Sequence, residues 1–112
     1  MPFPPFFSEL PEIDVPFAPD VVTTRAIASP EGLAVFFDIH QNTTLSPHQH
    51  GDQWGTVIRG KLHLTMDGTT KTYGPGEDYF IPAGTVHGAE IPAGTQILDV
   101  FAEPDRYAVK RD

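Results

Sequence analysis

From residue 21 onward the chain alternates short apolar runs with breaks that contain Gly or Pro, and no segment sustains a 3.6-residue period. Strands are predicted over residues 21–28, 33–40, 43–50, 54–59, 61–67, 69–73, 78–81, 86–91 and 95–102. Run 33–40 is rich in Val, Phe and Ile, which suit a pleated surface. The breaks are Ser29-Pro30-Glu31-Gly32, Gly60, Gly74-Pro75-Gly76, Pro82-Ala83-Gly84 and Pro92-Ala93-Gly94. Asp67-Gly68 is a hairpin signal. Many short strands at even spacing indicate an all-β fold, an antiparallel sandwich or barrel, and such a barrel can hold a small ligand.

Residues 1–20 differ in texture. Pro occupies positions 2, 4, 5, 11, 16 and 19, which argues against helix. Phe3, Phe6, Phe7, Leu10, Ile13, Val15 and Phe17 are too apolar for a solvated tail. The expectation is an extended N-terminal arm over 1–20, packed on a single domain spanning 21–112 or on a second subunit. An aromatic surface of this kind suggests a homodimer. The charged stretch 104–112 is expected on the surface.

A length of 112 residues suits one core. The formal net charge of −8, with only seven Lys and Arg scattered along the chain, argues against nucleic acid and anionic membrane partners. The apolar N-terminus lacks a basic region and is interrupted by prolines, so it reads as neither signal peptide nor membrane span. The expected location is cytoplasmic. There is no Cys, so thiolate ligands and a cysteine nucleophile are ruled out.

The histidines supply the chemistry. His48 and His50 stand two apart, and on a strand such residues point to one face. Gln53 can add an amide oxygen from the turn or the start of the next strand. His87, after Pro82-Ala83-Gly84, must come from elsewhere in the fold to close a metal site. His40 and His63 have no partner in this pattern. Trp54 is expected to point outward, and one of Tyr79 and Phe80 should line the pocket.

These residues resemble the paired motifs of the cupin superfamily. The first runs His48-x-His50, Gln53, then Gly60. The second runs Gly76, Pro82-x-Gly84, His87. With the strands between, the resemblance covers residues 42–91. Asn42 and Ile91 depart from the usual Gly and Asn. Gln53 follows His50 by two intervening residues and replaces the usual carboxylate. The resemblance implies a double-stranded β-helix (jelly-roll) barrel and one divalent transition metal (Ni, Zn, Fe or Mn) held by His48, His50, Gln53 and His87. That ligand set is neutral, which favours Lewis-acid chemistry over oxygen activation.

The three-His, one-Gln set also resembles small cupins that convert unsaturated uronates from pectin and alginate breakdown to linear keto forms. That subset carries an Asp-x-Phe pair followed by an Arg, here Asp99-Val100-Phe101 and Arg106. The resemblance implies Asp99 as general acid/base, Phe101 as a pocket wall and Arg106 holding a substrate carboxylate. Strand alternation puts Ile97, Asp99 and Phe101 on one face. The expected function is an isomerase-type metal-dependent enzyme acting on a small polar molecule. A metal-dependent dioxygenase and a non-catalytic metal- or metabolite-binding module are the alternatives.

Overall fold

A computed structural model describes residues 2–110. Its strands are β1 (Val22–Ser29), β2 (Gly32–Ile39), β3 (Thr43–His48), β4 (Gln53–Arg59), β5 (Leu62–Met66), β6 (Thr69–Tyr73), β7 (Asp78–Ile81), β8 (His87–Ile91) and β9 (Gln96–Phe101). All nine predicted strands form. They make two antiparallel sheets, ordered β1-β2-β9-β4-β7 and β3-β8-β5-β6. These are the two layers of a jelly roll. Asp67 and Gly68 both adopt positive φ, 47° and 82°, as the two-residue turn between β5 and β6 requires.

The core lies between the sheets. Successive residues of a strand point to opposite faces, so β4 buries Gln53, Gly55 and Val57 while Trp54 faces out. Val22, Ile39, Leu62, Leu64, Ile81, Ile91 and Ile97 form the main apolar cluster. Gln53 and Asp99 are polar residues on these inward faces and are buried with it. Burial of a group that needs a partner is costly, so their placement calls for one.

The arm is not uniformly extended. Pro5–Glu9 forms one 3₁₀ turn, which tolerates Pro at its start because the first N–H groups have no partner within the turn. The arm packs on its own domain. Phe7 lies 4.8 Å from Phe36 between ring centroids, on the outer face of β2, and Arg25 Nη1 donates to the Leu10 carbonyl at 2.9 Å. Ile13 is only 1% exposed and bridges to Val109.

Stretch 104–112 was expected to lie wholly on the surface, and its described part does not. Asp14 N–H donates to the Ala108 carbonyl and Lys110 N–H to the Glu12 carbonyl, both at 2.8 Å. The apolar side chains of Tyr107 and Val109 pack on the second apolar cluster, around Ile13, Leu33, Val35 and Phe101. Alternation of apolar and polar residues here reflects a paired segment with one buried face. Among the described residues no helix is long and apolar enough to cross a membrane.

Candidate metal centre

β3 ends at His48, so His50 lies in the following loop rather than on the strand. The two rings still meet, with centroids 5.3 Å apart, because the loop folds back over the sheet end. His87 opens β8 and is paired directly with His48 across the sheet, ring centroids 4.3 Å apart. The pairing shifts register between Leu45 and His48, a bulge that re-aims the end of β3. Gly88 permits this, since a Cβ there would meet the Leu45 carbonyl oxygen at 2.8 Å.

The three imidazoles present one potential ligand atom each within 4.8 Å of one another. Their Nδ1 atoms face the carbonyl oxygens of Ser46, Gly51 and Thr85 at 2.8, 2.9 and 2.9 Å. A carbonyl only accepts, so each Nδ1 carries the proton and each Nε2 keeps its lone pair. Nε2 of His50 is buried with no hydrogen-bond partner among the described residues. Lone pairs fixed by backbone acceptors and aimed at a common point fit a divalent metal, which would answer that orphaned nitrogen. Burial lowers the pKa of His50 and of His87 ahead of all other causes, and the neighbouring Arg106 charge acts in the same direction, so both favour the neutral form a metal needs.

Gln53, the first residue of β4, lines the same cavity as the three histidines and is buried. Asp99 and Phe101 share the inner face of β9 and line it too. The Phe101 ring meets the His50 ring edge-on at 5.6 Å. Asp99 is buried, and that burial raises its pKa to about 6. Hydrogen bonds from Tyr79 and then Gln53 act the other way. The Tyr79 hydroxyl donates to Asp99 Oδ1 at 2.5 Å. Burial first, then the Asp99 charge, push the Tyr79 pKa upward, so its hydroxyl stays protonated. Arg106 lies over the Tyr107 ring at 4.3 Å and over Phe101 at 5.9 Å, and its buried Nε has no acceptor among the described residues.

The structure therefore brings His48, His50, His87, Gln53, Asp99 and Phe101 around one cavity, with Arg106 beside them. His40 and His63 lie elsewhere, bonded to Thr23 and Thr72. Of the straddling pair, Tyr79 lines the cavity while Phe80 is 53% exposed. Counting back from inward Ile81 by twos gives Tyr79. Sequence reasoning missed Tyr107 and Val15, which reach the cavity from the paired chain ends, and Gly55, whose role depends on its cross-strand neighbours.

Residues 35–101 match the family model described as "Cupin domain". Among solved structures, KdgF from Halomonas sp. is similar at 26% identity over 94% of this chain and 91% of that one, with a TM-score of 0.70. An RmlC-like cupin from Shewanella frigidimarina is 27% identical over 88% of this chain and 87% of that one, with a TM-score of 0.73. A variant of oxalate decarboxylase from Bacillus subtilis, 19% identical over 88% of this chain and 29% of that one, shares the fold with a TM-score of 0.71. No curated protein matches the chain.

Proposed function

The chain belongs to the cupin family, and from that premise we propose that it is a metal-dependent enzyme that isomerises a small carboxylate-bearing molecule, of the unsaturated sugar-acid kind. The observation that carries the reading is Arg106. Its buried Nε has no acceptor among the described residues, its guanidinium lies over the rings of Phe101 and Tyr107, which line the cavity of the histidine cluster, and a planar guanidinium is suited to a carboxylate. The ligands would be His48, His50, His87 and the Gln53 carbonyl oxygen. A divalent metal held there supplies Lewis-acid polarisation of a substrate oxygen.

Asp99 is the group to move the proton. A carboxyl with a pKa of about 6 both accepts and returns a proton near neutral pH. In this conversion the anomeric hydroxyl loses its proton as its carbon becomes a carbonyl, the bond from that carbon to the ring oxygen breaks, the ring oxygen becomes a ketone and a proton is delivered to the far carbon of the double bond, so substrate and product have the same composition and no co-reactant is consumed. Phe101 and Tyr107 give the pocket an apolar wall.

The test is turnover of a 4,5-unsaturated uronate by the metal-loaded protein, followed by loss of the ring double bond in ultraviolet absorbance and by NMR. Arg106→Leu should raise KM at least tenfold with little change in metal content. A metal-loaded parent that leaves the uronate intact would overturn the substrate class.

We propose in addition that two copies pair through the outer face of the five-stranded sheet. Ile27, Ala34, Val100, Trp54 and Phe80 stand directly opposite one another in one apolar row across all five strands. Four of the five are substantially exposed in the single chain. Sedimentation of the parent beside Trp54→Glu tests it, and a monomeric parent at micromolar concentration would sink it.

A further inference from the structure

Gly55 on β4 is paired with Tyr79 of β7 on one side and with Asp99 of β9 on the other. All three residues turn to the inner face. Two side chains separated by a whole strand do not ordinarily touch, because the middle residue's side chain stands between them. Here the middle residue has none. A Cβ at Gly55 would fall inside the van der Waals envelope of both Asp99 Oδ1 and the Tyr79 hydroxyl. The absent side chain lets the Tyr79 hydroxyl reach over β4 and donate to Asp99 at 2.5 Å.

Gln53 lies two residues before Gly55 on the same face and is paired with Phe101, so it is the diagonal neighbour of Asp99 across β4 and β9, and both side chains line the cavity of the three histidines. An ionised carboxylate only accepts, whereas an amide has one accepting and one donating end. An amide turned to a carboxylate at Asp99 offers its NH₂, which leaves its carbonyl oxygen for the rest of the cavity.

We propose that Tyr79 is a positioning residue of the metal centre: reaching over Gly55, it fixes the Asp99 carboxylate, which turns the Gln53 amide so that its oxygen serves the imidazole cluster. The inference rests on the reading above that Gln53 is a ligand. It assigns Gly55 and Tyr79 a role that no imidazole neighbour reveals, and it makes the chain Tyr79–Asp99–Gln53 the support for the neutral fourth ligand. Such supporting partners typically set metal affinity by 10- to 100-fold.

The experiment is a titration of the metal-free protein with cobalt(II), read by the visible d–d bands, for the parent, Tyr79→Phe, Gln53→Ala and the double variant. Tyr79→Phe should weaken cobalt binding about 10-fold or more and shift the bands toward those of Gln53→Ala. In the Gln53→Ala background the same change should have no further effect, since the residue through which it acts is gone. Equal affinity in parent and Tyr79→Phe overturns the inference while the metal centre stands, and so does an equal loss in both backgrounds, which marks a merely structural hydroxyl. A parent that binds no cobalt overturns the inference together with the metal reading it rests on. If Tyr79→Phe does not fold, Asp99→Asn takes its place. An amide at 99 can offer NH₂ to Gln53 and reverse it, so cobalt affinity should fall to that of Gln53→Ala, and parent-like affinity there overturns the proposal.

Discussion

Asp52 and Ala83 join the two halves of the imidazole cluster: the Ala83 N–H donates to Asp52 Oδ1 at 2.7 Å. One belongs to the segment that carries His48 and His50, the other to the turn that leads to His87. The Gly84 N–H adds a second tie, to the His50 carbonyl at 3.0 Å. Asp52→Ala should therefore loosen the imidazoles relative to one another. Because Asp52 is exposed, the stability loss should be small, about 1 kcal/mol. Metal affinity should fall by a clearly larger factor than that stability loss implies. Calorimetric titration beside thermal melting checks this, and unchanged affinity would show that the Gly84 tie suffices.

The three imidazoles should link metal to stability. Nε2 of His50 is buried without a partner among the described residues, so metal removal leaves a desolvated acceptor unanswered. The metal-loaded protein should melt higher than the chelated one. Metal at one hundred times its Kd would contribute about 2.7 kcal/mol. In His50→Ala the difference between loaded and chelated melts should disappear, and elemental analysis should find no stoichiometric metal. A His50→Ala protein that still carries one metal per chain would remove His50 from the ligand set.

Much of this was legible in the chain. Apolar runs and Gly/Pro breaks located all nine strands, because most of them have one face in the core, although β6 buries only Tyr73. The His48, His50 and His87 spacing marked the cluster, although His50 reaches it from a loop and not from strand geometry. What stayed hidden depends on pairings between distant strands. Nothing around Gly55 in sequence shows that Tyr79 and Asp99 flank it, and nothing in Ile13 or Val109 shows that they bridge. Charge along 104–112 masked the buried alternate residues of a paired segment.

The pH dependence of the metal-free protein should show Asp99. Burial raises its pKa from 3.8 to about 6. A raised carboxyl contributes stability that is full below its unfolded pKa and lost as pH rises through its folded one. The folded chain thus holds a proton between those values that the unfolded chain has released. His50 and His87, both lowered, act oppositely: their contribution is present above the unfolded value of 6.5 and lost as pH falls. The difference between parent and Asp99→Asn isolates the carboxyl. Relative to the variant, the metal-free parent should gain roughly 1.4 kcal/mol between pH 8 and pH 5. Urea melts across that range measure it, and parallel curves would place the Asp99 pKa near its ordinary value.

Ile13 should matter to substrate and not to metal. It is 1% exposed, bridges to Val109, and its neighbours Glu12 and Asp14 exchange backbone hydrogen bonds with Lys110 and Ala108. Those contacts anchor the C-terminal segment that carries Arg106 and Tyr107. None of the three histidines lies on either segment. Ile13→Ala removes buried methylenes and should cost about 2–4 kcal/mol. The freed segment should let Arg106 leave its place over Tyr107 and beside the imidazoles. KM for a carboxylate substrate should then rise severalfold, while metal affinity at temperatures where the variant is folded stays that of the parent. Val109→Ala should produce the same pattern at smaller size, since it loses less buried surface. If both variants shift metal affinity as much as KM, the paired chain ends support the whole centre and Arg106 has no separate anchor.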